Sequence, residues 1–303
     1  MDRLETKRIG IFLAVAFGWA YLVAVAMYAL GGLANATVWF GFLNSYTVLA
    51  AVLYMPAPTL AHLFTRWVTG EGWQDLQLTA NFRQGWKYWL IAWAGSAVLL
   101  LVGGALFFAL YPQYFDPEMT AIMEVLISQA PETAEVPPLV IVLAQGFSAL
   151  TLGLLINSIF TFGEEFGWRA YLQQKLMPLG VRPAMVLMGI IWGLWHAPLI
   201  AMGHNYGLEY PGAPWSGIAM MCWMTFGLST FWGWAVARGG SVWPAVIGHA
   251  VVNGLAGITV FWVQGEPSTL LGPLVPGFIG AMGFGLAAVV LLLRPQWWKV
   301  KGE

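Results

Sequence analysis

Charged residues are scarce in this sequence of 303 residues. Asp, Glu, Lys and Arg together make up 9% of it, whereas 59% of the residues are hydrophobic. An ordinary soluble domain has about 25% charged residues, so this composition excludes a water-soluble fold. The 13 basic and 14 acidic residues leave a net charge of -1 and form no basic cluster. Nucleic acid is therefore excluded as a partner.

Cysteine is almost absent. Cys222 is the single cysteine and lies in an apolar stretch, so neither an intrachain disulfide nor a cysteine-rich metal site can form. Serine gives no nucleophile, because Ser241 has no partners for a Ser/His/Asp triad. The sequence does not indicate an oligomeric state.

The sequence contains long apolar runs. Crossing about 30 Å of hydrocarbon takes roughly 20 helical residues, and lipid-exposed backbone without barrel-like alternation must be helical. The sequence predicts an all-α membrane protein, a polytopic bundle of about eight transmembrane helices, as a single domain over 1–303. The first run is too long for a signal peptide and is predicted to be a retained span. The eight runs are 9–30, 40–64, 86–110, 138–162, 184–203, 215–236, 242–263 and 272–293.

The basic residues fall on one side of this arrangement. They precede span one or follow spans two, four, six and eight: Arg3, Lys7, Arg8, Arg66, Arg83, Lys87, Arg169, Lys175, Arg182, Arg238, Arg294, Lys299 and Lys301. The charged residues of the opposite connections are all acidic: Asp116, Glu118, Glu124, Glu132, Glu135, Glu209 and Glu266. The positive-inside rule then predicts an integral cell-membrane protein with both termini in the cytoplasm.

The longest outer connection, 111–138, contains phased apolar residues between Pro117 and Pro131. Met119, Met123 and Ile127 repeat at the spacing of one helix face. This pattern predicts a short amphipathic helix that lies on the outer surface.

Ionisable side chains within spans are costly and are usually functional. Three groups stand out: Glu164-Glu165 with Arg169, Trp192 with His196, and His249 with Asn253. Glu164 lies 13 residues before the predicted cytoplasmic turn at 177–182, and His196 lies 14 residues after it. Each is then roughly 20 Å from that turn. His249 enters from the same face, so we expect the three groups to share one chamber.

Neighbouring helical residues point about 100° apart, so Glu164 and Glu165 have different roles. Glu165 and Arg169 have the i, i+4 spacing of an ion pair, and we assign that pair to structure. Glu164 then remains as the candidate general base. Trp192 is predicted to pack in the core or to form a chamber wall.

His249 and Asn253 also have the i, i+4 spacing and present two donors side by side. Such donors suit the stabilisation of an oxyanion. His196 supplies the remaining group, either sharing the attacking water with Glu164 or protonating the leaving amine. His204, in an outer loop, is predicted to have no role in the chemistry.

Several alternatives stay open on the residues alone. A proton-coupled transporter also lines its pathway with Glu, His and Asn, and a non-catalytic immunity or scaffold protein can retain a buried ion pair. Glu164, His196 and His249 also match a His₂Glu metal set, so a divalent metal such as zinc stays open. Because the HExxH signature is absent, no cofactor is expected.

Together the three groups resemble the motifs of the CPBP family, the CAAX-type prenyl endopeptidases and bacteriocin-processing enzymes also called the Abi family of intramembrane proteases. The resemblance covers a core of about 144–255. Trp192 is the one departure, because the family usually has Phe there. The matches are EExxxR at Glu164, Glu165 and Arg169, aromatic-xxx-His at Trp192 and His196, and HxxxN/D at His249 and Asn253.

The resemblance implies an intramembrane endopeptidase that acts on a membrane-attached peptide or protein, with or without a prenyl group, in the lipid bilayer. It implies a bundle of about eight helices with a chamber reached from the cytoplasmic side. Glu164 and His196 would activate water there, and His249 with Asn253 would hold the oxyanion. The family is often called a metalloprotease family, a label that the sequence does not decide.

Overall fold

The computed structural model of the chain describes residues 3–41 and 43–298, so Lys299 and Lys301 lie outside the described residues. The α-helices are α1 Arg3–Ala29, α2 Ser45–Leu49, α3 Ala57–Thr69, α4 Phe82–Leu110, α5 Thr120–Gln129, α6 Pro138–Leu150, α7 Leu152–Gly167, α8 Gln173–Leu176, α9 Val181–Trp195, α10 Ala197–Ala201, α11 Trp215–Gly239, α12 Trp243–Leu255 and α13 Met282–Leu293. Ala50–Tyr54 and Trp168–Leu172 are π-helical. Short 3₁₀ segments occupy Pro112–Tyr114, Pro131–Glu135, Met177–Leu179, Ile258–Trp262 and Pro295–Trp298.

The protein is an all-α, multi-pass membrane protein, as the sequence predicts. Its β-structure within the described residues is the short antiparallel pair β1 Val38–Phe40 and β2 Leu43–Asn44, with one further bridge between Phe115 and Val263. By length and composition, four described helical segments can cross a membrane, or five if a bent helix pair counts as one span. The four are Arg3–Ala29, Ser45–Thr69, Phe82–Leu110 and Trp243–Trp262.

The other three predicted spans coincide with α9, α11 and α13, which are shorter or less apolar. Helix α9 has 15 residues and α13 has 12, because chain that was predicted to be helical folds as loop at 272–281 and as the separate helix α10. Helix α11 has 25 residues, many of them Gly, Ser, Thr and Trp, and more than half are buried. A helix surrounded by other helices does not need an apolar surface toward lipid.

The predicted span 138–162 is broken at Thr151, where α6 and α7 meet at a bend of 45°. Thr151 has φ -125° and ψ -94°, which is not helical. The break frees the carbonyl of Leu150, and the indole Nε1 of Trp93 donates to it at 3.2 Å. A partner for the freed carbonyl makes the bend tolerable inside a membrane.

The basic residues of the helix ends gather at one end of the bundle, which we call the basic end. Arg8 of α1 donates to Thr69 of α3 at 3.3 Å, and Arg182 donates to the carbonyl of Leu292 at 3.1 Å. Helices α1, α4, α9 and α12 therefore run away from the basic end, and α3, α7, α11 and α13 run toward it. Among the basic residues that the structure describes, Arg169 is the exception, because it is fully buried inside the bundle.

Helices α3 and α7 run side by side in very close contact. A Cβ atom on Gly167 would lie 2.3 Å from the backbone of Pro58, so only glycine permits this approach. The contact fixes α7 against α3 immediately beside Glu164.

The outer connection contains the predicted short helix. It is α5, and Met119 and Met123 are buried against the bundle. The carboxylate of Asp116 accepts from the backbone N–H of Thr120 at 2.6 Å, which satisfies an amide at the start of the helix. The position of α5 on the outer membrane surface stays a prediction.

Candidate active site

Glu164 lies near the end of α7 and is 3% exposed. The indole Nε1–H of Trp192 on α9 donates to its Oε2 at 2.8 Å. This bond fixes the direction of the carboxylate. Trp192 is therefore more than the chamber wall that the sequence predicts, because it contacts the candidate base directly.

The ring of Trp192 is also the point where the three polar groups meet. Its centroid lies 5.4 Å from that of the His249 ring and 5.8 Å from that of His196. On the third side, the guanidinium carbon of Arg169 lies 4.2 Å from the ring centroid. The structure thus brings α7, α9 and α12 together around one indole, as expected for a shared chamber.

The bond from Trp192 to Glu164 predicts a difference between two tryptophan substitutions. We expect Trp192→Phe to lower the free energy of unfolding by about 1–3 kcal/mol, because it leaves a buried carboxylate oxygen without its donor. Trp195→Phe is the matched control, since the buried Trp195 Nε1 has no hydrogen-bond partner among the described residues. Thermal unfolding in detergent measures both, and equal losses would contradict the assigned bond.

His196 is held by the break between α9 and α10. Pro198 has no N–H to continue the helix, and the Tyr21 hydroxyl donates to the Leu194 carbonyl at 3.0 Å instead. The Trp192 carbonyl is also freed, and His196 Nδ1 lies 2.9 Å from it. Because a carbonyl only accepts, Nδ1 carries the proton, and Nε2 remains for the cavity.

His249, in the middle of α12, is held by Glu165. Its Nδ1 lies 2.8 Å from Glu165 Oε1, and its ring stacks on that of Trp232 with centroids 5.2 Å apart. The predicted ion pair is also present, with Arg169 Nε 3.1 Å from Glu165 Oε2. Glu165 therefore contacts both Arg169 and His249, and its carboxylate orients a candidate catalytic imidazole.

The buried charges of this cluster balance when Glu164 and Glu165 are both ionised and His249 is protonated. Glu164 and Glu165 contribute two negative charges, and Arg169 contributes one positive charge. Isolated net charge is costly in a membrane interior. A protonated His249 makes the cluster neutral and presents Nε2–H as a donor to the cavity.

Asn253 lies one helical turn after His249 and is exposed. The two residues and Glu164, Trp192 and His196 all line one cavity of about 310 Å³. The sequence-predicted site residues that are absent from this lining are Glu165 and Arg169, which are fully buried behind it. The remaining walls come from Ala50, Tyr54, Met55, Trp195, Leu199, His204, Asn205, Met221, Met224, Leu228, Val252, Ala256, Val275 and Pro276.

His204 and Asn205 are lining residues that the sequence prediction missed. The chain turns back after α10, with φ +95° at Gly203 and φ +68° at Asn205, and so returns the loop to the cavity that His196 lines. Burial lowers the pKa of His204 to about 4, so its ring is uncharged at neutral pH. The signal that could have revealed it is the Gly203-His204-Asn205 turn itself, which follows a broken helix rather than a complete span.

The sequence leaves open a metal ion held by Glu164, His196 and His249. Within residues 3–41 and 43–298, no three His, Cys, Asp or Glu side chains lie close enough together to hold one ion. Glu164, His196 and His249 line the same cavity without forming a ligand set. No step of the chemistry proposed below therefore runs through a metal.

Comparisons with known proteins match the same part of the chain. Residues 144–255 match the family model of the type II CAAX prenyl endopeptidase, Rce1-like. A stretch of 103 residues, 33% of this chain, is 31% identical to the CAAX prenyl protease 2 of Methanococcus maripaludis. The matched stretch spans 36% of that relative's length. All three motifs lie inside the range of the family model, and the predicted resemblance of residues 144–255 to the CAAX-protease family is confirmed.

Proposed function

We propose that this chain is an intramembrane endopeptidase of the CAAX-protease type, which hydrolyses a peptide bond of a membrane-attached peptide or protein. One observation carries the proposal. A buried, oriented carboxylate and two imidazoles line one cavity, and the Nδ1 atom of each imidazole is already engaged. Each ring therefore offers Nε2 to whatever the cavity binds.

The proposed chemistry needs no covalent intermediate. Glu164 takes a proton from a water molecule, whose oxygen attacks the peptide carbonyl. His196 Nε2, which carries no proton in the neutral ring, accepts a hydrogen bond from the same water. The tetrahedral intermediate then breaks at the C–N bond as the proton passes from Glu164 to the leaving amine.

Negative charge develops on the carbonyl oxygen during the attack. His249 Nε2–H and the Asn253 side-chain amide are the proposed donors to this oxygen. Donors that are positioned before the reaction cost little reorganisation, and losing one of them typically lowers a rate by about 10²–10³-fold. Glu165 supports this step by holding His249 in position, and Arg169 holds the Glu165 carboxylate.

Removal of metal ions tests the prediction that the protein needs no cofactor. We expect exhaustive chelation of the purified protein to leave the rate of peptide cleavage unchanged, because the proposed water is activated by Glu164 directly. The measurement is the initial cleavage rate before and after chelation. A loss of activity that added zinc restores would contradict the expectation.

The charges of the chain support a proposal for its orientation in the membrane. We propose that both termini face the cytoplasm, because the basic residues of the helix ends gather at one end of the bundle. The described basic side chains at that end include Arg8 and Lys175, and both form ion pairs with Glu71.

The substrate and the activity can be sought together in cells. Membrane peptides from cells that carry the wild-type protein are compared with those from cells that carry His249→Ala at equal protein level. We expect peptide termini that occur only with the wild-type protein. Identical sets of termini would contradict the proposed function.

A further inference from the structure

The cavity extends from the candidate catalytic residues toward one end of the bundle only. Helix α12 runs away from the basic end, and its lining residues after His249 are Val252, Asn253 and Ala256. These residues all lie farther from the basic end than His249 does. On this helix, therefore, the cavity wall extends away from the basic residues.

Helix α11 runs in the opposite direction, and on this helix too the cavity wall extends away from the basic end. Its lining residues are Met221, Met224 and Leu228, which all precede Trp232, the residue that stacks on His249. They too lie farther from the basic end than the catalytic residues. The loops that complete the wall, at 204–205 and 275–276, belong to the end opposite the basic residues.

The side of the cavity toward the basic end is closed. Trp168, Arg169 and Trp232 have no exposed surface, and neither do Leu172 and Gln173 beyond them. Gln173 also donates to the carbonyl of Gly233 at 3.0 Å, which ties α8 to α11 across this region. This layer of buried side chains lies between the cavity and the basic end.

These observations conflict with one pair of sequence expectations. The positive-inside rule places the basic end in the cytoplasm, whereas the family resemblance implies a chamber that is reached from the cytoplasm. In this structure the two expectations cannot both hold. The charge distribution is a property of this chain's own residues, and the connections at the cavity end carry Glu209 and Glu266 with no basic residue.

We propose that the cavity opens at the non-cytoplasmic face of the membrane, and that the peptide it receives is a membrane-attached segment displayed on that face. The statement about the peptide rests on the proposed function. The statement about access does not rest on the proposed function, because it depends only on the cavity wall, the closed layer and the charges. The proposed substrate is therefore a segment that has already been transferred across the membrane.

Cysteine labelling tests this access directly. Cys222 is the chain's single cysteine, so Cys222→Ala gives a cysteine-free parent. Single cysteines are then introduced as Ala256→Cys in the cavity wall, Glu209→Cys in the exposed loop at the cavity end, and Thr79→Cys in the exposed connection at the basic end. Ala50→Cys, on the opposite wall, is a second cavity variant if Ala256→Cys does not fold.

Intact cells are treated with a thiol reagent that does not cross membranes. We expect Glu209→Cys and the cavity variant to be labelled at least about tenfold more than Thr79→Cys, which becomes labelled after permeabilisation. Labelling of Thr79→Cys in intact cells, with the cavity variant labelled only after permeabilisation, would overturn the proposal. Because labelling needs no catalysis, a protein that labels as expected but cleaves nothing contradicts only the proposed function.

Discussion

Replacing Glu164 with Gln is expected to lower the rate of peptide cleavage by about 10²–10⁴-fold, the usual contribution of a general base. The amide has the same size as the carboxyl group, and its oxygen still accepts from Trp192 Nε1, so the fold has no reason to change. The amide cannot take the proton of the attacking water. The measurement is the initial rate at which the product terminus forms, at matched protein levels in the membrane.

A matched control separates the chemistry from a general effect of losing a carboxylate. Glu124, on the exposed face of α5, lies outside the cavity lining. We expect Glu124→Gln to cleave at the wild-type rate. If Glu164→Gln also cleaves at that rate, Glu164 is not the base.

Glu165→Gln is expected to be the most destabilising conservative change in the cluster. Arg169 is fully buried and forms its ion pair with Glu165 at 3.1 Å. Removing one partner of a buried ion pair typically costs about 3–5 kcal/mol, because the other charge stays buried without compensation. The expected result is a lowered unfolding temperature in detergent together with loss of cleavage.

A double substitution distinguishes a purely structural role of Glu165 from its role in positioning His249. In Glu165→Gln with Arg169→Gln, no guanidinium remains without its counter-charge, and we expect much of the lost stability to return. Cleavage should stay low, because His249 has still lost the carboxylate that holds its Nδ1. A double variant that is both stable and active would show that Glu165 serves only the ion pair.

Much of the site follows from the sequence because a membrane makes polar residues informative. Water-soluble proteins carry many Glu, His and Asn side chains without a function, whereas each one inside a span needs a compensating partner. Glu164, His196, His249 and Asn253 could therefore be chosen as candidates from their positions within the apolar spans. Their spacing also predicted the ion pair of Glu165 with Arg169, since both residues lie on one helix.

The contacts between helices could not be predicted in this way. The bond from Glu165 to His249 joins residues 84 positions apart, and the bond from Trp192 to Glu164 joins residues 28 positions apart. Helical periodicity gives the direction of a side chain on its own helix but not the rotation of the neighbouring helix. His204 was missed for a similar reason, because its place in the cavity depends on the turn after α10.

The helices were predicted best where they face lipid. Helices α1 and α4 match predicted spans, because each is long and continuously apolar. Helices α9, α11 and α13 lie against other helices, so length and hydropathy constrain them less. The break at Thr151 had no clear signal, since what stabilises it is the indole of Trp93, 57 residues away from Leu150.

The most direct test of the account is cleavage by the purified protein in liposomes, in water enriched in ¹⁸O. The substrate is a peptide identified from the wild-type-dependent termini. The account predicts that the wild-type protein places one ¹⁸O atom in the new carboxyl group and that Glu164→Gln forms this product at least about 10²-fold more slowly. Equal formation of the labelled product by both proteins would contradict the claim that Glu164, in the cavity shared with His196 and His249, activates the water.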